Sequence, residues 1–357
     1  MQSEDDCFFI AKKGVKYMSG IIFSQASGLN DSVFGKSQEP IKSMITAGVE
    51  SFEETSLLSK IFYMDKTKNF AEKYATMTSL GNFQDVGENG ATPQDSFQEG
   101  FCKVIEPSTW KLGFSITAEM MEDNKIGDIS NAAKRFTTSY GRTREQFGAA
   151  LLSNGHNAKM KWNKKEYSIT CADGKPFFFK EHPSKVDGVS LKQSNLFKGA
   201  FSVLTLDAVQ EAMQDFKDDK GNLLNVKPDT IIIPTGVMEE HGPHVPLATD
   251  TGSELDPRNN NNAWNFQCGL WNVLVWAELP KTIGGKPYFI LMDSDYMQQY
   301  ECMPWLDRIK LKVDSYIDHN TDANVFKGRS RFAAGFNNWR GAALCGEGLT
   351  AGTDLTT

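Results

Sequence analysis

Residues 128–155 read DISNAAKRFTTSYGRTREQFGAALLSNG, and the spacing of their apolar members decides the fold. Ile129, Ala133, Phe136, Tyr140, Phe147 and Leu151 recur at three- and four-residue steps, which places them along one stripe of an α-helix. Asp128 supplies an N-cap oxygen, and Asn154-Gly155 supplies the left-handed stop that ends many helices. At 1.5 Å per residue the predicted helix is roughly 37 Å long, enough to act as a structural spine.

Upstream, Trp110-Lys111-Leu112-Gly113-Phe114-Ser115-Ile116-Thr117 alternates strictly, so Trp110, Leu112, Phe114 and Ile116 share one face of a strand. Phe70 to Met77 and Phe101 to Ile105 also read as strands, joined through Gly81-Asn82 and the Gly87-Glu88-Asn89-Gly90 stretch. A long hairpin of this kind is marginal alone and is expected to lean on a neighbour. Residues 1–50 are rich in Gly, Ser, Asn and Asp, with apolar runs too short to close a core, and read as an arm.

Downstream, a second helix capped by Thr205 carries Leu206, Val209, Met213 and Phe216 on one face and ends at the Asp218 to Asn222 turn. Thr230-Ile231-Ile232-Ile233 reads as a short buried strand stopped by Pro234. Trp271 to Trp276, Tyr288 to Met292 and Ile309 to Val313 are further strands. The class this predicts is α+β.

Composition narrows the function. A chain of 357 residues with 40% apolar residues is globular, not disordered. No run approaches the ~18 uninterrupted apolar residues of a membrane span. The acidic start lacks the positive region of a secretory signal, which predicts a non-secreted chain. Six scattered cysteines read as free thiols. The 38 basic against 45 acidic residues give a net charge of −7, which speaks against a strongly basic wall that grips DNA.

Three stretches invite a chemical reading. Gly35-Lys36-Ser37 resembles the end of a phosphate loop, but Asn30 stands where its first Gly belongs and Pro40 spoils the helix that should follow. Lys159-Met160-Lys161-Trp162-Asn163-Lys164-Lys165 could stack and hold a nucleic acid, and reads more simply as a solvated loop. The sharpest is Glu239-Glu240-His241-Gly242-Pro243-His244-Val245-Pro246-Leu247-Ala248-Thr249-Asp250, with carboxylates and imidazoles gathered after a buried strand. This stretch resembles the metal signature of creatininase-type amidohydrolases, and the resemblance would make Glu239, His241 and Asp250 ligands of a catalytic metal. The further ligands of that family have no counterpart, since His319 is the only histidine after the stretch and Asn154-Gly155-His156 lies upstream of it. A surface loop is the simpler reading.

A second resemblance spans nearly the whole chain. The extended region ending in Ser115 to Asp123, the spine with Arg142 to Phe147, and Asp173-Gly174-Lys175-Pro176-Phe177-Phe178 come in the order of a tailed-bacteriophage major capsid protein with the Hong Kong 97-type fold. Glu181 to Ser184, Phe201 to Met213, Val226 to Pro234 and the closing strand Phe332 to Arg340 continue that order. The resemblance implies an arm at 1–50, an extended loop and its base at 51–118, a peripheral domain with the spine at 119–190, an axial domain at 191–300, and returning strands at 301–357. It further implies a virion protein, assembled in the host bacterial cytoplasm, that forms hexameric and pentameric capsomers around double-stranded DNA without sequence-specific binding. Scaffolding, portal and decoration proteins are the further partners it suggests. It implies no membrane, catalytic residue, cofactor or metal. The alternative is the amidohydrolase using Glu239, His241 and Asp250.

Overall fold

The computed structural model describes residues 38–77, 80–87, 90–96, 99–123, 126–185, 192–236 and 270–355. The predicted spine is a 28-residue helix, α4 (Ile126–Ser153), about 42 Å long by its rise per residue. It starts two residues before the expected cap, so Asp128 lies in its first turn, where a carboxylate favours the positive end of the helix dipole. Its stripe is buried as the spacing requires: Ile129, Ala133, Phe136, Tyr140, Phe147 and Leu151 are all in the interior.

A helix absent from the sequence-based expectation lies along the spine. α1 (Gln38–Thr55) begins inside the stretch expected to be an arm and buries Ile41, Ile45 and Val49. Pro40 does not spoil it. Proline in a first turn lacks a donor that would have had no partner within the helix, and its fixed φ suits helix entry. The close approach of α1 and α4 needs small residues, because a Cβ on Gly141 would sit 2.5 Å from the Phe52 ring. A short helix, α2 (Leu58–Ile61), then leads into β1 (Tyr63–Lys66).

Two sheets flank the spine. The first has four strands in the order β1, β13 (Pro304–Asp318), β14 (Ala323–Ala334) and β4 (Ser108–Ile116), β1 running parallel to β13 and the other pairs antiparallel. β4 is the predicted alternating strand, and it contributes to its own subunit's core. Phe114 stacks on Phe326 and leans on Phe136 of the spine, Trp110 stacks on Phe332, and Leu112 alone of the four stays exposed. Between β1 and β4 the chain makes a two-stranded antiparallel ribbon, β2 (Glu72–Met77) and β3 (Glu99–Ile105). α3 (Ala118–Glu122) joins β4 to the spine.

The second sheet has six strands, β11 (Asn272–Trp276), β10 (Thr230–Pro234), β12 (Tyr288–Met292), β15 (Ala342–Gly346), β9 (Leu196–Lys198) and β16 (Thr353–Asp354), in that order. β10, β12 and β15 are wholly buried, which is why they read as continuous apolar runs and not as alternations. Pro234 is the last residue of β10, where a missing donor costs least. α5 (Val203–Gln214) has Ser202 as its N-cap in place of Thr205: the Ser202 hydroxyl accepts from the Thr205 backbone N–H at 3.1 Å. α6 (Ser294–Gln299) is capped by Asp293 in the same way.

Two further expectations change. Lys159 to Lys165 is not a loop, because β5 (Lys159–Trp162) and β6 (Lys165–Ser168) form a hairpin closed by Asn163 and Lys164, both at positive φ as a two-residue turn requires. The minor pair β7 (His182–Pro183) and β8 (Lys192–Gln193) lies between this hairpin and β9. The closing segment 332–340 is only partly strand. β14 ends at Ala334, a 3₁₀ turn covers Trp339–Gly341, and β15 follows.

Candidate assembly interface

Two buried polar joints hold the body together. On the spine, Arg144 donates to Asp307 of β13 at 2.9 Å and to the Tyr140 hydroxyl at 2.9 Å, while Trp305 Nε1 donates to the other Asp307 oxygen at 3.1 Å. The guanidinium also lies over the Trp305 and Phe332 rings, so a desolvated charge is met by a carboxylate, a hydroxyl and two π faces. Burial, the largest single effect, opposes the charge, but Tyr140 and then Asp307 together raise the already basic Arg144 further.

The second joint is His182, stacked on Trp339 at 4.2 Å. Its Nδ1 faces Asp173 at 2.6 Å and its Nε2 faces Asn195 Oδ1 at 3.2 Å. The Asn195 amide is oriented by its donations to three backbone carbonyls, those of Phe177, Trp339 and Ala342, which leaves Oδ1 as the acceptor. Both ring nitrogens therefore meet oxygen partners, one from Asp173 and one from Asn195.

The β2–β3 ribbon is built differently. Its base is buried: Tyr74 and Ile105 close on Leu306 and Ala333, and the Tyr74 hydroxyl donates to Asp65 at 2.8 Å. Burial first and the neighbouring Asp65 second push the Tyr74 phenol up. At the ribbon's entry Glu72 accepts from the Thr67 hydroxyl and from Asn69, which lowers its carboxyl. Beyond the base, Leu80, Phe83 and Val86 are exposed, Phe83 completely. Among the described residues the loop is tied back where Asp95 accepts from Lys220 and from the Gly81 N–H. Such exposed apolar residues on an extended segment mark a surface made to be covered.

Nothing comparable exists for catalysis among the described residues. Glu239, His241 and Asp250 lie outside them, as does Gly35-Lys36-Ser37. No group of three His, Cys, Asp or Glu side chains able to hold a metal is found among the described residues. His156, at the end of the spine, has a buried Nδ1 without a partner, and burial lowers its basicity. Cys171, Cys302 and Cys345 are buried, and desolvation pushes Cys345 up to about 12, far from a reactive thiolate.

The sequence between residues 103 and 344 matches the family model described as phage capsid protein. No curated protein is matched. Among solved structures, the procapsid of bacteriophage JBD30 is similar at 14% identity over 85% of this chain and 73% of that one, with a TM-score of 0.43. A structure from Mycobacterium phage Adephagia is similar at 10% identity over 85% and 91%, with a TM-score of 0.48. A virus-like particle from Pyrococcus furiosus gives 9% identity over 86% and 98%, with a TM-score of 0.44. With more than half of its length matched by that one model, the chain belongs to the phage capsid protein family and is a structural protein.

Proposed function

We propose that this chain is the major capsid protein of a tailed bacteriophage, with a Hong Kong 97-type subunit that self-assembles into hexameric and pentameric capsomers of an icosahedral head around double-stranded DNA. The observation that carries this reading, beside family membership, is the ribbon: a segment with exposed Leu80, Phe83 and Val86 that its own subunit leaves uncovered. The four-stranded sheet with α1 and α4 corresponds on this reading to the peripheral domain, and the six-stranded sheet with α5 to the axial one. Closed symmetric assembly supplies each ribbon with a neighbour. Scaffolding, portal and decoration proteins are the expected partners of the finished head, which forms in the host cytoplasm.

Electron micrographs of the purified full-length chain test the reading. Shells, tubes or ring-shaped capsomers are the expected result. Small discrete oligomers that carry stoichiometric zinc or manganese, lost in His241→Ala, would overturn it in favour of the amidohydrolase.

A further inference from the structure

A pocket of about 270 Å³ opens where four segments meet: β2 of the ribbon, the turn after α5, the end of α6 and the stretch that leads into the 3₁₀ turn. Its wall is polar and leans negative. Arg340, the cation in that wall, is already engaged, since it donates to Asp219 at 3.0 Å and to the Lys217 carbonyl at 3.0 Å and lies over the Trp339 ring. Asp218 is fixed in its turn by the backbone N–H groups of Lys220 and Asn222, both at 2.8 Å. Glu301 takes a hydrogen bond from the Tyr63 phenol and pairs with no cation among the described residues.

The same wall holds a buried acceptor without a donor. Asn337 is 4% exposed, and its Nδ2 donates to the Glu301 carbonyl at 3.4 Å. Its Oδ1 is buried and meets no donor among the described residues. The backbone around it is anchored on both sides: the Asn337 N–H donates to the Cys302 carbonyl and its own carbonyl accepts from the Cys171 thiol, each at 2.8 Å. A stranded acceptor held in place this firmly is the complement of a ligand that donates. Tyr296 and Tyr300, stacked at 4.3 Å, add aromatic surface to the wall, and the Tyr300 ring is 43% exposed.

Carboxylates, an amide oxygen and aromatic faces together select an organic cation. A single metal ion fits poorly, because no three acids gather closely enough to hold one among the described residues. The acids come instead from two segments, Asp218 and Asp219 after α5 and Glu301 after α6. A phosphate would meet those carboxylates and be repelled. We propose that the pocket binds a linear alkyl diammonium of the putrescine class. One ammonium donates to Asn337 Oδ1 and Glu301 beside the Tyr300 ring, the methylenes lie against Leu224, and the second ammonium faces Asp218 and Asp219. Because Ala75 and Thr76 of β2 form one side of the pocket, the bound diamine also ties the ribbon to the turn after α5. This goes beyond the capsid reading and holds whether or not the chain assembles.

Isothermal titration of the purified full-length chain with butane-1,4-diamine, at fixed ionic strength, tests it. One equivalent per chain should bind with a Kd below about 1 mM, and Mg²⁺ at the same ionic strength should not displace it. Butan-1-amine, with one ammonium, should bind at least about tenfold more weakly, a comparison that needs no variant. Glu301→Gln and Tyr300→Ser should each raise the Kd for the diamine roughly tenfold. Absence of saturable binding would mean that the pocket holds only water and would overturn the proposal. Equal binding of butan-1-amine, displacement by Mg²⁺, or variants that bind like the parent would overturn it as well. So would tighter binding of Nα-acetyl-lysine methylamide than of the diamine, which would assign the pocket to a lysine side chain of another protein.

Discussion

Replacing Asp307 by Asn should destabilise the subunit far more than the loss of one hydrogen bond. The substitution keeps the shape of the side chain and an acceptor for Trp305, but it removes the only carboxylate paired with Arg144 among the described residues, and the Arg144 side chain is 3% exposed. Breaking a buried ion pair from one side strands the other charge, at a cost of about 3–5 kcal/mol. For a 357-residue chain the unfolding entropy is about 0.75 kcal/mol per kelvin, so the midpoint should fall by about 4–7 °C. The Arg144→Met, Asp307→Leu double variant removes both charges and leaves an apolar site beside Trp305 and Phe332, so it should recover most of that loss. Scanning calorimetry of the purified full-length chain at matched concentration and scan rate measures both. A midpoint within 1 °C of the parent for Asp307→Asn, or a double variant that loses the sum of the two single losses, would refute the reasoning that the stranded Arg144 charge is what destabilises the single variant.

Three further outcomes follow from named groups. Asp95 is held at about 2, chiefly by Lys220 and then by the Gly81 and Ser96 N–H groups. A depressed carboxyl favours the tied loop above its unfolded value of 3.8 and loses that effect as pH falls toward 2. Pepsin should therefore nick the loop slowly at pH 4 and rapidly near pH 2, whereas Lys220→Met should be nicked rapidly at both; equal rates at pH 4 would dismiss the tie. Thiol mapping with iodoacetamide and mass spectrometry should label Cys102 in the native protein and spare Cys171, Cys302 and Cys345 until unfolding, because only Cys102 of these four is exposed. Gly328→Ala would bring a Cβ to 2.4 Å from Phe136 on the spine, so it should cost about 1–3 kcal/mol of overpacking, seen as a midpoint lowered by about 1–4 °C.

The sequence by itself determined the elements whose pattern is local. The apolar stripe from Ile129 to Leu151 and the alternation of Trp110, Phe114 and Ile116 follow from helix and strand periods of 3.6 and 2, and the buried faces match them. The i, i+4, i+8 set Ile41, Ile45 and Val49 was equally legible, but Pro40 beside it argued against a helix, and only contact with the spine gives that face a purpose. The order of motifs along the chain also pointed to the capsid family. Tertiary structure decided everything that depends on which distant residues meet. Arg144 and Asp307 are 163 positions apart. Lys111, Lys312 and Arg329 come from three strands, and the register between those strands is set by long-range pairing and bulges that no local period encodes. A net charge of −7 averages over the chain and concealed that these three cations stand side by side on neighbouring strands while the charged residues of a 29-residue stretch, 74–102, are all acidic. Charge acts through distance, and distance between strands is fixed only when the sheet forms.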